Sequence, residues 1–581
     1  MEPGFTISDL HHFVAIKLVF FIFVAGAIFL WYRFRKPEAF LAWAGAMAGL
    51  GYFLFVDNLA LPFWGLRGDE VTIAAMFEAF AHGGFFRDFG YAHLPPFYPP
   101  LYFWLFALIG KIVDWNGIQM SKFASFTCIT VFPLFCYFLQ RAFFHTKQTV
   151  LHKQIFPEKI GMMLMPFILW LFIDWDAMIL KPYEVMLAVA SLVWMGSLIP
   201  LVLNSGLKTK TYIVYAISGG LIFMSYYLWL IFAYLGAFLY ALTVSKKDQW
   251  RFYGQLFIVG VGLLVISLPY LIPLIASYRQ FGSENWQVAL LLREGIATDM
   301  PMFQLFSWRG MFMLSGFVSM LWYARTNMFI RVLFACFLAS YVWQIMGLAT
   351  VLFFDAPIQE SKGFYFFNRA ILAFTAAYAL EKGWYWMKEK YAVKVPALPS
   401  IIAVIGILFL GTNMIFGTFA DDPVAQAERK IARSLRHTIP ELVDFLKQDS
   451  KQQASIVTFH AGIAELAAYL PINSFIYFNQ HNSHPAAEFT ARKTYTGYLS
   501  LAKTPEEFYD LSKNTWFGSI DRYIFFRHEG SLSYRIYFNI DTYPNGGGEQ
   551  VVEIPKRLVI EPYFTKVYEN DEFVVWDRNN R

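Results

Sequence analysis

The sequence predicts a polytopic α-helical membrane protein with a soluble α/β or α+β domain at its C-terminal end. Three observations predict it. Of the 581 residues, 57% are hydrophobic, 20% aromatic and only 15% charged, a balance outside the soluble range. Apolar stretches long enough to cross a hydrocarbon core recur through residues 1–420. Residues 421–581 then return to ordinary soluble composition over a length typical of one domain. The chain is therefore divided into a membrane domain, 1–420, and a globular domain, 421–581.

Twelve spans are expected, near 13–32, 39–62, 120–140, 159–174, 183–203, 212–226, 227–244, 253–276, 303–323, 328–354, 369–384 and 398–418. The apolar run 101–113 is too short to cross and follows four prolines, so it is placed at the membrane interface. Charge supports that choice. With Arg33, Arg35 and Lys36 on the cytoplasmic side, later clusters such as Lys208 with Lys210, Lys246 with Lys247 and Arg251, and Lys388 with Lys390 fall on the same side. A crossing at 101–113 would turn all of them outward.

Loops 63–100, 175–182, 277–302 and 355–368 and the C-terminal domain then share the outer face of a bacterial cytoplasmic membrane. Lys181, Arg279, Arg293, Lys362 and Arg369 remain on that face. They either bind an anionic headgroup or snorkel from helix ends. No basic stripe points to nucleic acid. Cys128, Cys136 and Cys336 lie in apolar stretches and read as packing residues. No small-residue cleavage site follows the first apolar run, so no removable signal peptide is expected.

In the C-terminal part, apolar positions from Ile431 to Leu446 recur at helical spacing and predict a helix over 423–447. Strands are expected at Ser455–Phe459, Ser474–Phe478, Arg522–Phe526, Tyr534–Ile540, Gln550–Ile554 and Glu572–Trp576, with helices near 461–470, 485–502 and 505–513. Thr504-Pro505-Glu506-Glu507 is a capping box with proline at the first helical position. Tyr543-Pro544-Asn545 and Gly546 to Gly548 read as a turn or loop.

Three constellations are candidates for chemistry. Asp69-Glu70 opens a loop that ends in the proline-stiffened aromatic segment Leu94–Trp104. Carboxylates at the edge of an apolar bundle are costly and read as functional, and the aromatics suit a sugar or lipid chain. Residues 69–82 have the spacing of an amphipathic helix on the membrane surface, with Asp69 at its N-terminus. Glu78, Arg87, Asp88, His93 and Tyr98 share the loop. The second is Asp174-Trp175-Asp176, a D-x-D pattern able to hold a divalent ion or a sugar, followed by Lys181 and Glu184. The third is Gln359–Arg369, where Glu360 accompanies Lys362 and Arg369 beside four aromatics. The alternative for each is ordinary: a helix-terminal acid, a chance triplet, an interfacial aromatic belt. No zinc spacing of His and Cys occurs, and no metal site is expected.

The acidic loop residue, the Tyr98-Pro99-Pro100-Leu101-Tyr102-Phe103-Trp104 segment and the dozen spans resemble the GT-C glycosyltransferases, membrane enzymes that use polyprenyl-phosphate sugars. Together with His484–Arg492, Asp521-Arg522-Tyr523 and Tyr543-Pro544-Asn545-Gly546, they are similar to the galactan 5-O-arabinofuranosyltransferases. That resemblance implies a GT-C-like fold, a decaprenyl-phosphate arabinofuranose donor, an extracytoplasmic site and a cell-envelope polysaccharide acceptor such as galactan. It also implies that Asp69 is the general base and that Glu70 supports it. The chain is richer in Phe, Lys and Ile than that family, which leaves a different glycan open.

Inverting transfer would then place Lys362, Arg369 or Arg293 on the departing phosphate. Asp88, His93, Tyr98, Asp174, Asp176 and Glu360 would be left for sugar or acceptor. A lipid monophosphate needs less metal assistance than a diphosphate. No obligatory cofactor is therefore expected, and a divalent cation stays open. Two other readings remain, a polyprenyl-linked sugar flippase and a non-catalytic glycan-binding membrane protein.

Overall fold

The computed structural model describes residues 7–34, 36–63, 65–66, 68–144, 159–173, 177–204, 206–284, 296–391, 423–433, 438–448, 456–542 and 546–579. Its first part is helical: α1 (Ile7–Phe34), α2 (Pro37–Val56), α3 (Gly68–Glu78), α4 (Leu101–Val113), α5 (Gly117–Phe144), α6 (Lys159–Phe172), α7 (Pro182–Asn204), α8 (Thr209–Tyr226), α9 (Leu228–Ala241), α10 (Lys246–Phe281), α11 (Trp308–Tyr323), α12 (Met328–Phe354) and α13 (Phe366–Tyr391).

Expected span 398–418 lies outside the described residues, and each of the other eleven falls on a helix. Length and composition support part of the twelve crossings among the described residues. Among the described residues, six helices are long and apolar enough to cross a membrane: α1, α2, α5, α7, α10 and α12. At 14 residues, α6 and α9 are short for a crossing. The 13-residue α4 has the length expected of an interfacial segment.

Helices α8 and α9 are separated only by Tyr227, yet they run in opposite directions. A Cβ on Gly219 or Gly220 would meet Leu263 or Ile266, and one on Gly262 would meet Ala216, so α8 runs parallel to α10. Phe238 instead packs on Tyr253 and Tyr240 on Phe252, which makes α9 antiparallel to it. The apex of this hairpin carries Tyr226.

Helix α3 departs from expectation. Instead of lying on the membrane surface with one wet face, it is buried along its length from Glu70 to Glu78. Two contacts require this. The backbone of Gly117 lies so close that a Cβ would sit 2.0 Å from the Ala74 carbonyl, and Glu78 Oε2 accepts from the Gly117 N–H at 3.0 Å. The same Gly117 Cβ would meet the Ala468 carbonyl at 3.0 Å, so the C-terminal part covers the other side.

That C-terminal part opens with α14 (Pro423–Arg433) and α15 (Ile439–Gln448). Buried Arg429 on α14 donates to the Phe55 carbonyl at 2.8 Å and stacks over the Phe55 ring, so α14 is anchored on the membrane helices. Strands β1 (Thr458–His460), β2 (Arg522–Phe526), β5 (Phe564–Glu569) and β6 (Phe573–Arg578) form a sheet of order β1-β2-β6-β5. Strands β3 (Ser533–Thr542) and β4 (Gly546–Pro555) form a separate antiparallel hairpin. Helices α16 (Phe489–Ser500) and α17 (Pro505–Lys513) pack beside them.

The expected capping box forms in modified shape: Thr504 Oγ1 accepts from Glu507 N–H at 3.2 Å, whereas Glu507 Oε2 accepts at 2.7 Å from Lys503 N–H, one residue before the cap. Other expectations change, the helix expected near 461–470 shrinking to Leu466–Tyr469 among them. Ser474–Phe478 is no strand and makes only a single bridge, at Ser474. Gly546–Gly548 extend β4 and pair with Thr542–Ile540 instead of forming a loop, while 543–545 lie outside the described residues. The helix expected from 485 begins at Phe489, after the short turn Pro485–Ala487.

Candidate active site

The loops assigned to one face do converge at one end of the bundle. Lys181 Nζ reaches Asp69 Oδ2 at 2.5 Å. Glu284 N–H donates to the Pro485 carbonyl at 2.9 Å. Asn482 Nδ2 donates to the Gly68 carbonyl at 3.2 Å, which seats the turn Gln480–Asn482 on the start of α3.

Four charged side chains alternate in sign at this meeting point. From Asp69 the chain of contacts passes to Lys181, then at 3.9 Å to Glu184 Oε1, and from Glu184 Oε2 at 3.0 Å to Lys362 Nζ. Different elements supply them: the first turn of α3, the residue before α7, the first turn of α7 and the turn Lys362–Phe364 ahead of α13. Pro182 at the first position of α7 suits a helix start and directs Lys181 and Glu184 to the same place.

Exposure separates the members. Glu184 is 1% exposed, the two lysines 19% each, and Asp69 keeps 38% of its side chain open. Burial acts to raise the Asp69 carboxyl, but Lys181, Lys362 and His481 together outweigh it and hold the group below the ordinary carboxylate range. At Lys362 burial prevails instead, lowering its ammonium more than Glu184 raises it.

Tyrosines wall the quartet. Tyr98 Oη lies 3.0 Å from Tyr183 Oη and donates to Glu184 Oε1 at 3.4 Å. Lys362 Nζ sits 5.8 Å from the Tyr226 ring centroid, so the apex of the α8–α9 hairpin faces the cations. His481, on the seated turn, acts electrostatically on Asp69. The arrangement offers an accessible carboxylate beside two ammoniums at the edge of an aromatic wall. It can take a proton on one side and hold an anion on the other.

Asp69, Tyr98 and Lys362 are the sequence candidates that meet here. Glu70, although adjacent to Asp69, is buried and acts on Tyr52 of α2 and Lys122 of α5. Asp88 caps its own loop: Oδ1 accepts from Gly90 and Tyr91 N–H at 2.9 and 3.1 Å, and burial pushes the carboxyl up to about 7. His93 packs edge-on against Phe281, and burial takes it down to about 4. Glu360 accepts from Ile358 N–H at 3.1 Å and packs over Gly347. Arg369 is half-buried in the first turn of α13. Asp174, Asp176 and Arg293 lie outside the described residues.

With this geometry in hand, the family model described as arabinofuranosyltransferase N terminal matches residues 2–355, more than half of the chain. The chain belongs to that arabinofuranosyltransferase family. It is a membrane glycosyltransferase. No curated protein matches. Among solved structures, arabinofuranosyltransferase AftD from Mycobacteria is 12% identical with a TM-score of 0.49, over 93% of this chain and 40% of that one. ArnT from Cupriavidus metallidurans bound to undecaprenyl phosphate is 13% identical with a TM-score of 0.45, over 91% and 96%. The Archaeoglobus fulgidus oligosaccharyltransferase is 12% identical with a TM-score of 0.46, over 85% and 70%.

The match takes in Asp69, Tyr98, Lys181 and Glu184 and stops seven residues short of Lys362. Sequence reasoning placed Lys181 on the same face as Asp69, to bind an anionic headgroup or to snorkel, and set Glu184 beside it without a role. Their spacing of three across a helix-starting proline is the signal that joins them. Tyr183, Tyr226 and His481 carried no such signal.

Proposed function

We propose that this glycosyltransferase moves arabinofuranose from a polyprenyl-phosphate donor to a cell-envelope polysaccharide such as galactan, on the extracytoplasmic face, with inversion. One observation carries the reading: a partly open carboxylate, Asp69, stands against Lys181 and within the electrostatic reach of Lys362, in an otherwise buried setting. The acceptor hydroxyl oxygen attacks the anomeric carbon, its proton passes to Asp69, and the bond from that carbon to phosphate oxygen breaks with its electron pair on the phosphate. A positioned base contributes about 10²–10⁴-fold.

Lys181 and Lys362 meet the charge that develops on the phosphate, supplying what a divalent ion supplies at diphosphate donors. Tyr98 and Tyr226 line the path of the sugar and the first prenyl units. Asp69 is held below the ordinary carboxylate range, so it is in its basic form at neutral pH. The acid limb of the rate profile falls below that range, with activity present above the limb and lost as pH drops through it.

The test is transfer of labelled arabinofuranose from its polyprenyl-phosphate donor by Asp69→Asn. The expected result is a rate loss of about 10²-fold or more with donor binding retained. Turnover at the wild-type rate would remove Asp69 from the role of base.

A further inference from the structure

We propose that Glu184 is a positioning residue of the donor-phosphate site, whose buried carboxylate keeps Lys362 charged and aimed at the phosphate. The inference rests on the function proposed above and extends it to a residue that contributes nothing to the substrate directly.

Three observations carry it. Glu184 is fully buried in the first turn of α7, and its Oε2 stands 3.0 Å from Lys362 Nζ. Its other oxygen is engaged elsewhere, 3.4 Å from the Tyr98 hydroxyl and 3.9 Å from Lys181. Lys181 in turn has a nearer partner of its own, Asp69 at 2.5 Å. Glu184 is thus the close counter-ion of Lys362, and Asp69 that of Lys181.

Electrostatics explains why Lys362 needs one. A buried ammonium loses its proton unless an opposite charge stands against it. The groups that face Lys362 are Glu184 on α7, Lys181 just before α7, Asp69 on α3 and the Tyr226 ring on α8. Burial and Lys181 both disfavour its charge, and of the two carboxylates Glu184 acts more strongly to keep it. Two carboxylates and two ammoniums cancel by count. A donor phosphodiester therefore enters a balanced site, and the second negative charge of the product phosphate appears as Asp69 takes up its proton.

Binding of radiolabelled undecaprenyl phosphate by the full-length protein in nanodiscs, measured across pH, tests this without relying on turnover. Glu184→Gln is expected to move the alkaline limb of binding at least one unit toward acid relative to wild type. Affinity should fall at least tenfold at alkaline pH and return to within about threefold of wild type at the acid end. Glu184→Asp keeps the charge and should leave the limb within half a unit of the wild-type position.

A Glu184→Gln limb that coincides with wild type overturns the inference. So does a uniform loss at every pH without recovery, which marks a purely structural residue. Lys362→Met separates this failure from failure of the function itself. If Lys362→Met binds undecaprenyl phosphate as wild type does, the phosphate reading falls. If it loses binding while Glu184→Gln titrates normally, only the role of Glu184 falls.

Discussion

The two ends of the helical bundle use the same residue types to opposite effect. At the end away from Asp69, Arg141 Nη1 pairs with Glu38 Oε1 at 2.8 Å, with side chains 54% and 34% exposed. Water screens that pair, and pairs of this kind contribute about 0–1 kcal/mol. At the other end Glu184 and Lys362 pair at 3.0 Å while 1% and 19% exposed. There the loss of one partner strands a buried charge. The same kind of ion pair is thus screened by water at one end and shielded from it at the other.

Substitutions can break that contrast, and the largest effect belongs to the buried end. Lys362→Met should raise the donor KM by about 10–100-fold, the worth of one charge-assisted contact, as measured by donor titration at saturating acceptor. Gly117→Val strikes the platform instead of the charges. Its side chain would invade the Ala74 carbonyl at 2.0 Å, pushing α3 and Asp69 out of line. It should destabilise by about 1–3 kcal/mol and reduce kcat more than it changes donor binding, as read from thermal unfolding beside steady-state rates.

In the C-terminal sheet, Arg522→Ala removes the paired contacts of Nε and Nη2 with Asp577 at 2.6 and 2.7 Å. A loss of about 2 kcal/mol should appear in thermal unfolding with the donor KM unchanged. At the exposed end, Arg141→Ala should change stability by less than about 1 kcal/mol and leave transfer at the wild-type rate in the same assays.

The same contrast explains what was legible beforehand. Asp69 and Tyr98 stood out because carboxylates and prolines are conspicuous between apolar runs. Lys362 stood out because a second cation followed it. Periodicity located α3 but misjudged its setting, since the cover over its outer side comes from residues near Ala468, some four hundred positions away. Asp88 looked equally promising by composition, yet its Oδ1 accepts from two N–H groups of its own loop, away from the quartet.

Glu184 stood out only as following the Asp174-Trp175-Asp176 triplet, because only the fold brings Lys362 to it. The turn Gln480–Asn482 gave no hint of a link to Gly68, which depends on a single side-chain amide. In the sheet, β5 went unseen because its middle residues, Thr565, Lys566 and Val567, are all exposed and show no alternation, as suits an edge strand. Local pattern reveals what is unusual along the chain, whereas partners across the fold decide what each charge does.

The most direct measurement is a structure of the full-length protein with a polyprenyl-phosphate arabinofuranose donor bound. The account predicts the phosphate within hydrogen-bond reach of the Lys181 and Lys362 ammoniums, and the anomeric carbon facing Asp69 across a gap wide enough for one hydroxyl. A phosphate seated away from both lysines, or an anomeric carbon turned from Asp69, would contradict it.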